Sequence, residues 1–191
     1  MLRRSMPATL ALASLLAACK GPAVPNPMAG QTRYLCCNLH YEKPEISDAN
    51  YLKGTLIPFG TRVQVLEIRK NTVKFQAEGH PPITLVLKYG KDAIGMDQYL
   101  ELVFLREDPH AKLPKPGKDK KQAAAAERTR KLIEEGTVEP GMTKDEVIMA
   151  LGYPPVHRTP SLSSPNWTYW ANRWVTFEVY FDGDKVSRVQ R

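Results

Sequence analysis

The sequence predicts an α+β protein: a small N-terminal mostly-β barrel followed by a C-terminal ααβββ two-layer sandwich. Three observations predict it. Short apolar runs punctuated by Gly and Pro fill residues 33–108. Thr143, with Glu146 three residues on, opens an apolar helical stripe. An alternating run from Val175 to Phe181 then meets the hairpin dipeptide Asp182-Gly183. The chain has 191 residues, enough for two small domains. Its 42% hydrophobic and 25% charged residues are globular values, which exclude a disordered chain and a multispan membrane protein.

Residues 1–18 read as a secretory signal. Arg3 and Arg4 form the basic start, and Ala8 to Ala18 is apolar except for Thr9 and Ser14. That run is too short for a spanning helix of about 20 residues. It ends Leu16-Ala17-Ala18-Cys19, which resembles the bacterial lipobox. The resemblance implies a mature chain whose first residue is Cys19, carrying a diacyl thioether and an acylated (palmitate-type) amino group. Several acyl chains anchor stably, at about 0.8 kcal/mol per buried CH2. The residue after the lipid site is Lys20, not the Asp that retains such proteins in the inner membrane. The implied location is therefore the periplasmic face of the outer membrane.

The rest of the N-terminal half follows from its punctuation. Residues 19–32 are Pro/Gly-rich and read as a tether. Tyr34 to Tyr41 alternates, with Leu35, Cys37, Leu39 and Tyr41 on one face of a strand. Further strands are predicted around Val63–Ile68, Val73–Ala77 and Ile83–Tyr89. Residues 42–54 then form a long first loop, a layout that resembles the Src-homology-3 type barrel. Tyr99, Leu100, Val103 and Phe104 have helical spacing, so a short helix is predicted over 96–105. A basic Pro/Lys linker, 109–121, closes this half.

The C-terminal half, 122–191, begins with an Ala/Lys/Arg/Glu-rich helix over 122–135, stopped by Gly136. The next helix has a Thr143/Glu146 capping box, a Met142/Val147 staple, and a stop at Gly152-Tyr153-Pro154 in which Gly152 supplies a left-handed cap. Strands are predicted at 166–171, 173–181 and 185–190. The segments Gly141-Met142-Thr143 through Val147, Leu151-Gly152-Tyr153-Pro154, Trp167-Thr168-Tyr169-Trp170 and Phe181-Asp182-Gly183-Asp184-Lys185-Val186 occur in order. Together, over about 138–190, they resemble the BamE family, also called SmpA/OmlA lipoprotein domains. The resemblance implies a non-enzymatic accessory of the machinery that inserts β-barrels into the outer membrane. It also implies partner contacts through the sheet surface and neighbouring loops.

Few residues suggest chemistry. Cys36-Cys37 and His40 do not form a chelate on a strand, because Cys36 and His40 lie about 13 Å apart at 3.3 Å per residue. With Cys19 lipidated, Cys36 and Cys37 are the remaining cysteines, so an internal disulfide would join them and distort the strand. Buried or surface thiols, or a structural bond, are preferred to a thiol-active site. His80, His110 and His157 sit in loop sequence without metal-ligand spacing. No nucleophile elbow or phosphate loop occurs, so no enzyme, metal or cofactor is expected.

Strand alternation points Trp170 outward, and Trp174 faces away from Val175. With Arg173 these residues form either a partner-binding patch or a cap on the open side of a thin sheet. The net charge of +7 is local. Residues 110–131 hold eight Lys/Arg against Asp119 and Glu127, while 132–191 holds six against eight acids. The basic stretch reads as a solvated linker; the competing functions are contact with anionic lipid headgroups or with peptidoglycan carboxylates. No basic face remains for nucleic acid. The leading expectation is an envelope scaffold; a peptidoglycan-binding lipoprotein is the alternative.

Overall fold

A computed structural model describes residues 26–191. The signal segment, Cys19 and the start of the tether lie outside the described residues. The fold is α+β, with three α-helices and three sheets among the described residues.

The larger sheet has six strands: β1 (Thr32–Leu35), β3 (Glu45–Ser47), β5 (Arg62–Arg69), β6 (Thr72–Ala77), β7 (Pro82–Val86) and β8 (Phe104–Leu105). Their order is β3-β7-β6-β5-β1-β8, so the curled sheet has open edges at β3 and β8. A small second sheet pairs β2 (Leu39–Tyr41) with β4 (Thr55–Ile57). The central antiparallel strands match the alternation in the sequence: Val63, Val65, Val73, Phe75, Ile83 and Leu85 are all buried. A bulge between Val65 and Glu67 turns Leu66 outward. Helix α1 (Met96–Val103) seals this core through Leu100 and Val103, and Phe104 meets Phe75 edge-on at 5.2 Å.

Two expectations are corrected here. Residues 34–41 are not one strand: β1 and β2 are separated by a bend at Cys36-Cys37, and every residue from Leu35 to Leu39 is buried. The structure joins Cys36 and Cys37 in a vicinal disulfide, which breaks the pleat at that point. The presumed loop 42–54 contains β3, which pairs parallel with β7 through Glu45↔Thr84 and Ser47↔Val86. Such a non-local pairing leaves no local period to read.

Helix α2 (Lys120–Glu134) is capped by Asp119, whose carboxylate accepts from Gln122 N at 2.8 Å. Helix α3 (Lys144–Leu151) has the predicted capping box: Thr143 Oγ1 accepts from Glu146 N, and Glu146 Oε2 accepts from Thr143 N. Strands β9 (Asn166–Trp170), β10 (Thr176–Asp182) and β11 (Lys185–Gln190) form an antiparallel meander. Ile133, Val147 and Leu151 share a second core with Trp167, Tyr169, Phe177 and Val179. Burying each of these large side chains stabilises by about 1.5–3 kcal/mol.

The segment 109–121 is shorter as a linker than its composition predicts. Pro109–Lys112 is a 3-10 turn capped by Asp108, and Leu113 packs on the second core. Arg130 Nε donates to Pro114 O at 2.7 Å, holding the segment against α2.

The two cores meet at a pair of buried asparagines. The last carbonyls of a helix need outside donors, and here Pro154 and Pro155 cannot donate to Ala150 O and Leu151 O four residues back. Asn38 Nδ2 donates to Ala150 O at 3.0 Å and to Ile133 O at 2.5 Å, while its backbone N donates to Met149 O. Asn50 Nδ2 donates to Leu151 O and to Asn38 O, both at 2.9 Å. Asn38 Oδ1 accepts from Phe59 N at 2.7 Å, and Phe59 itself belongs to the second core. The N-terminal half thus caps the C-terminus of α3. Gly152 lies at this junction with φ +87° and an extended ψ of 177°, not the left-handed cap expected from sequence. A Cβ there would sit 3.0 Å from Asn50 Nδ2, so the close approach selects glycine.

Candidate functional site

The turn between β9 and β10, residues 171–175, gathers the residues singled out from sequence. Strand β10 begins at Thr176, so Arg173, Trp174 and Val175 belong to the turn and not to a strand. Asn172 shapes it: its Oδ1 accepts from Trp174 N at 2.8 Å and Val175 N at 3.0 Å, and Ala171 N donates to Val175 O. The result holds Trp174 84% exposed at the tip, with Arg173 exposed on one side and Val175 50% exposed on the other. Monomeric surfaces normally bury most of a Trp, so this tip is the outlying apolar feature among the described residues.

Trp170 has a different place. It is half-buried, meets the Tyr51 ring edge-on at 6.1 Å, and its carbonyl accepts from Leu52 N. It tethers the sheet to the N-terminal half, and its buried indole N–H has no partner among the described residues.

Different surfaces flank the turn. Val175 lines an apolar cavity of about 360 Å³ with Leu52, Val138, Leu151, Phe177 and Val189. Arg173 lines an open cleft of about 880 Å³ whose far wall is the N-terminal segment from His40 to Ser47 together with Tyr51, Lys88 and Tyr89. Lys43, Lys53, Lys88 and Arg173 bring four cations to this cleft against Glu42 and Glu45. Lys53 is paired with Glu42 at 3.0 Å. Lys43, Lys88 and Arg173 form no ion pair among the described residues. Tyr51 and Tyr89 share a hydroxyl hydrogen bond of 2.7 Å; burial, and then that bond, push the Tyr51 phenol up to about 12, so it stays protonated. Burial lowers the His40 pKa, which keeps its ring neutral.

The sequence alone brought forward Trp170, Arg173 and Trp174. It missed the exposure of Val175, which alternation places on the strand face shared with Phe177, and the N-terminal wall of the cleft, because Lys43 and Lys88 approach Arg173 only through the fold. Cys36 and Cys37 are buried at the junction and line neither cavity. Among the described residues no group of three or more His, Cys, Asp or Glu side chains is placed to hold a metal, and no helix is long and apolar enough to cross a membrane. Comparison of the chain with models of protein families, with curated proteins and with solved structures returned no match.

Proposed function

We propose that this chain is an outer-membrane-anchored lipoprotein facing the periplasm, acting as a non-enzymatic binding or scaffolding component in outer-membrane protein assembly or envelope integrity. In this reading Cys19 carries the lipid, residues 33–108 are a Src-homology-3 type barrel, and 122–191 is a BamE-type ααβββ two-layer sandwich. The observation that carries the reading is Trp174, 84% exposed on a turn braced by Asn172. An exposed aromatic flanked by Arg is the composition of an interface anchor. The backbone bracing means little loop freedom is lost on binding.

The test combines two measurements. Labelled palmitate should be incorporated into the full chain and lost in Cys19→Ala. Affinity purification of the full chain from crosslinked membranes should recover components of the barrel-assembly machinery. Persistent labelling in Cys19→Ala would remove the anchor, and a purification free of those components would remove the assembly role.

A further inference from the structure

We infer that the cleft between Arg173 and the His40–Ser47 wall binds an extended acidic peptide segment of a protein partner. The inference rests on the binding-scaffold reading above and adds the chemistry of what is bound. Charge comes first. Once Lys53 is paired with Glu42, the cleft keeps Lys43, Lys88 and Arg173 against Glu45 alone. These three come from separate places: the β2–β3 connection, the segment just after β7, and the β9–β10 turn. Cations distributed in this way suit carboxylates spaced along a chain better than one compact anion. Arg adds bidentate recognition of a carboxylate.

Shape comes second. One wall is a continuous stretch from His40 to Ser47, and it includes the whole of β3, an edge strand of the six-stranded sheet. An elongated wall of this kind matches an extended chain. The aromatic residues argue against a sugar ligand. Tyr41 meets His80 edge-on at 5.9 Å, Tyr51 meets Trp170, and Tyr89 lies 5.1 Å from His157 with Lys88 Nζ over its ring. Each ring already has a ring or ammonium partner on one side, and the Tyr51 and Tyr89 hydroxyls bond each other, so the cleft's chief offer to a ligand is its cations.

The probe is a labelled decapeptide alternating Glu and Val, titrated against the full lipidated chain in detergent micelles. Its counterpart carries Gln for each Glu, and a soluble muramyl-peptide fragment is the third ligand. The Glu peptide is expected to bind, and the Gln peptide to bind about tenfold more weakly. Raising salt from about 0.1 M to about 1 M shrinks the Debye length from about 10 Å to about 3 Å and should abolish the difference. Lys88→Ala and Arg173→Ala should each weaken the Glu peptide several-fold, and the Lys88→Glu/Arg173→Glu double variant should lose it. These side chains are exposed, so unchanged melting curves verify the fold of the variants. Equal binding of Glu and Gln peptides, undiminished binding by the double variant, or preference for the muramyl fragment would each overturn the inference. Its failure is separable from that of the scaffold reading: partners still recovered from crosslinked membranes by the double variant would leave the scaffold standing and remove only the cleft.

Discussion

Replacing Asn38 by Ala removes three side-chain hydrogen bonds from a fully buried site. Ile133 O keeps Gly136 N as a donor, so it is not orphaned. Ala150 O and Phe59 N lose their side-chain partner: Pro154 has no N–H to offer the first, and Asn38 Oδ1 is the described acceptor of the second. An unsatisfied buried polar group costs about 1–3 kcal/mol, so two of them cost about 2–6 kcal/mol. A chain of this size loses about 2–4 °C of Tm per kcal/mol. Thermal unfolding of Asn38→Ala followed by circular dichroism should therefore show a fall of roughly 8–16 °C for the middle of that range, about 4 kcal/mol. Hydrogen exchange should also show the Phe59 amide losing protection. Asn38 and Asn50 share the carbonyl of Asn38, so Asn50→Ala should couple to it in a double-mutant cycle. A Tm change within about 1 °C for Asn38→Ala, smaller than one orphaned group permits, would refute this account of the junction.

Thr143→Ala should remove half of the capping box and cost about 1 kcal/mol, read as a Tm lower by about 2–4 °C. Gly152→Ala should destabilise more than a surface glycine substitution, because it adds positive-φ strain to a 3.0 Å approach to Asn50; chemical denaturation measures it, and an unchanged midpoint would contradict the close approach. Burial lowers the pKa of His40 in the fold, so the unfolded chain takes up the proton first as pH falls through about 6.5, and stability is lost there. The Tm of His40→Gln should consequently fall less between neutral pH and mild acid than that of the wild type, with His157, lowered by burial in the same direction, present in both proteins.

The parts of the fold legible in sequence were those with local signals. The capping box at Thr143, the alternation of β5, β6 and β7, and the Asp182-Gly183 turn each lie within a few residues, and each is where the pattern placed it. The unread features arise from long-range pairing. Strand β3 depends on β7 about 40 residues away, and the asparagines at 38 and 50 are ordinary polar residues until α3 arrives with two prolines behind it. The run 34–41 alternates yet bends at Cys36-Cys37, the irregularity that a bond between adjacent cysteines implies and that alternation alone does not register. For the candidate site, Trp174 was visible as an outward aromatic, but the basic cleft was not. Its residues come from separate segments, and of its cations only Arg173 stands out in the sequence.

The most direct measurement of the central claim places a photocrosslinking amino acid at position 174 of the full chain in living cells. The account predicts a defined product containing a component of the barrel-assembly machinery, and its loss in Cys19→Ala. It also predicts that Trp174→Ala melts within about 0.5 kcal/mol of the wild type, since the side chain is 84% exposed. A probe at 174 that yields no such product would contradict it, as would a product formed equally well without Cys19.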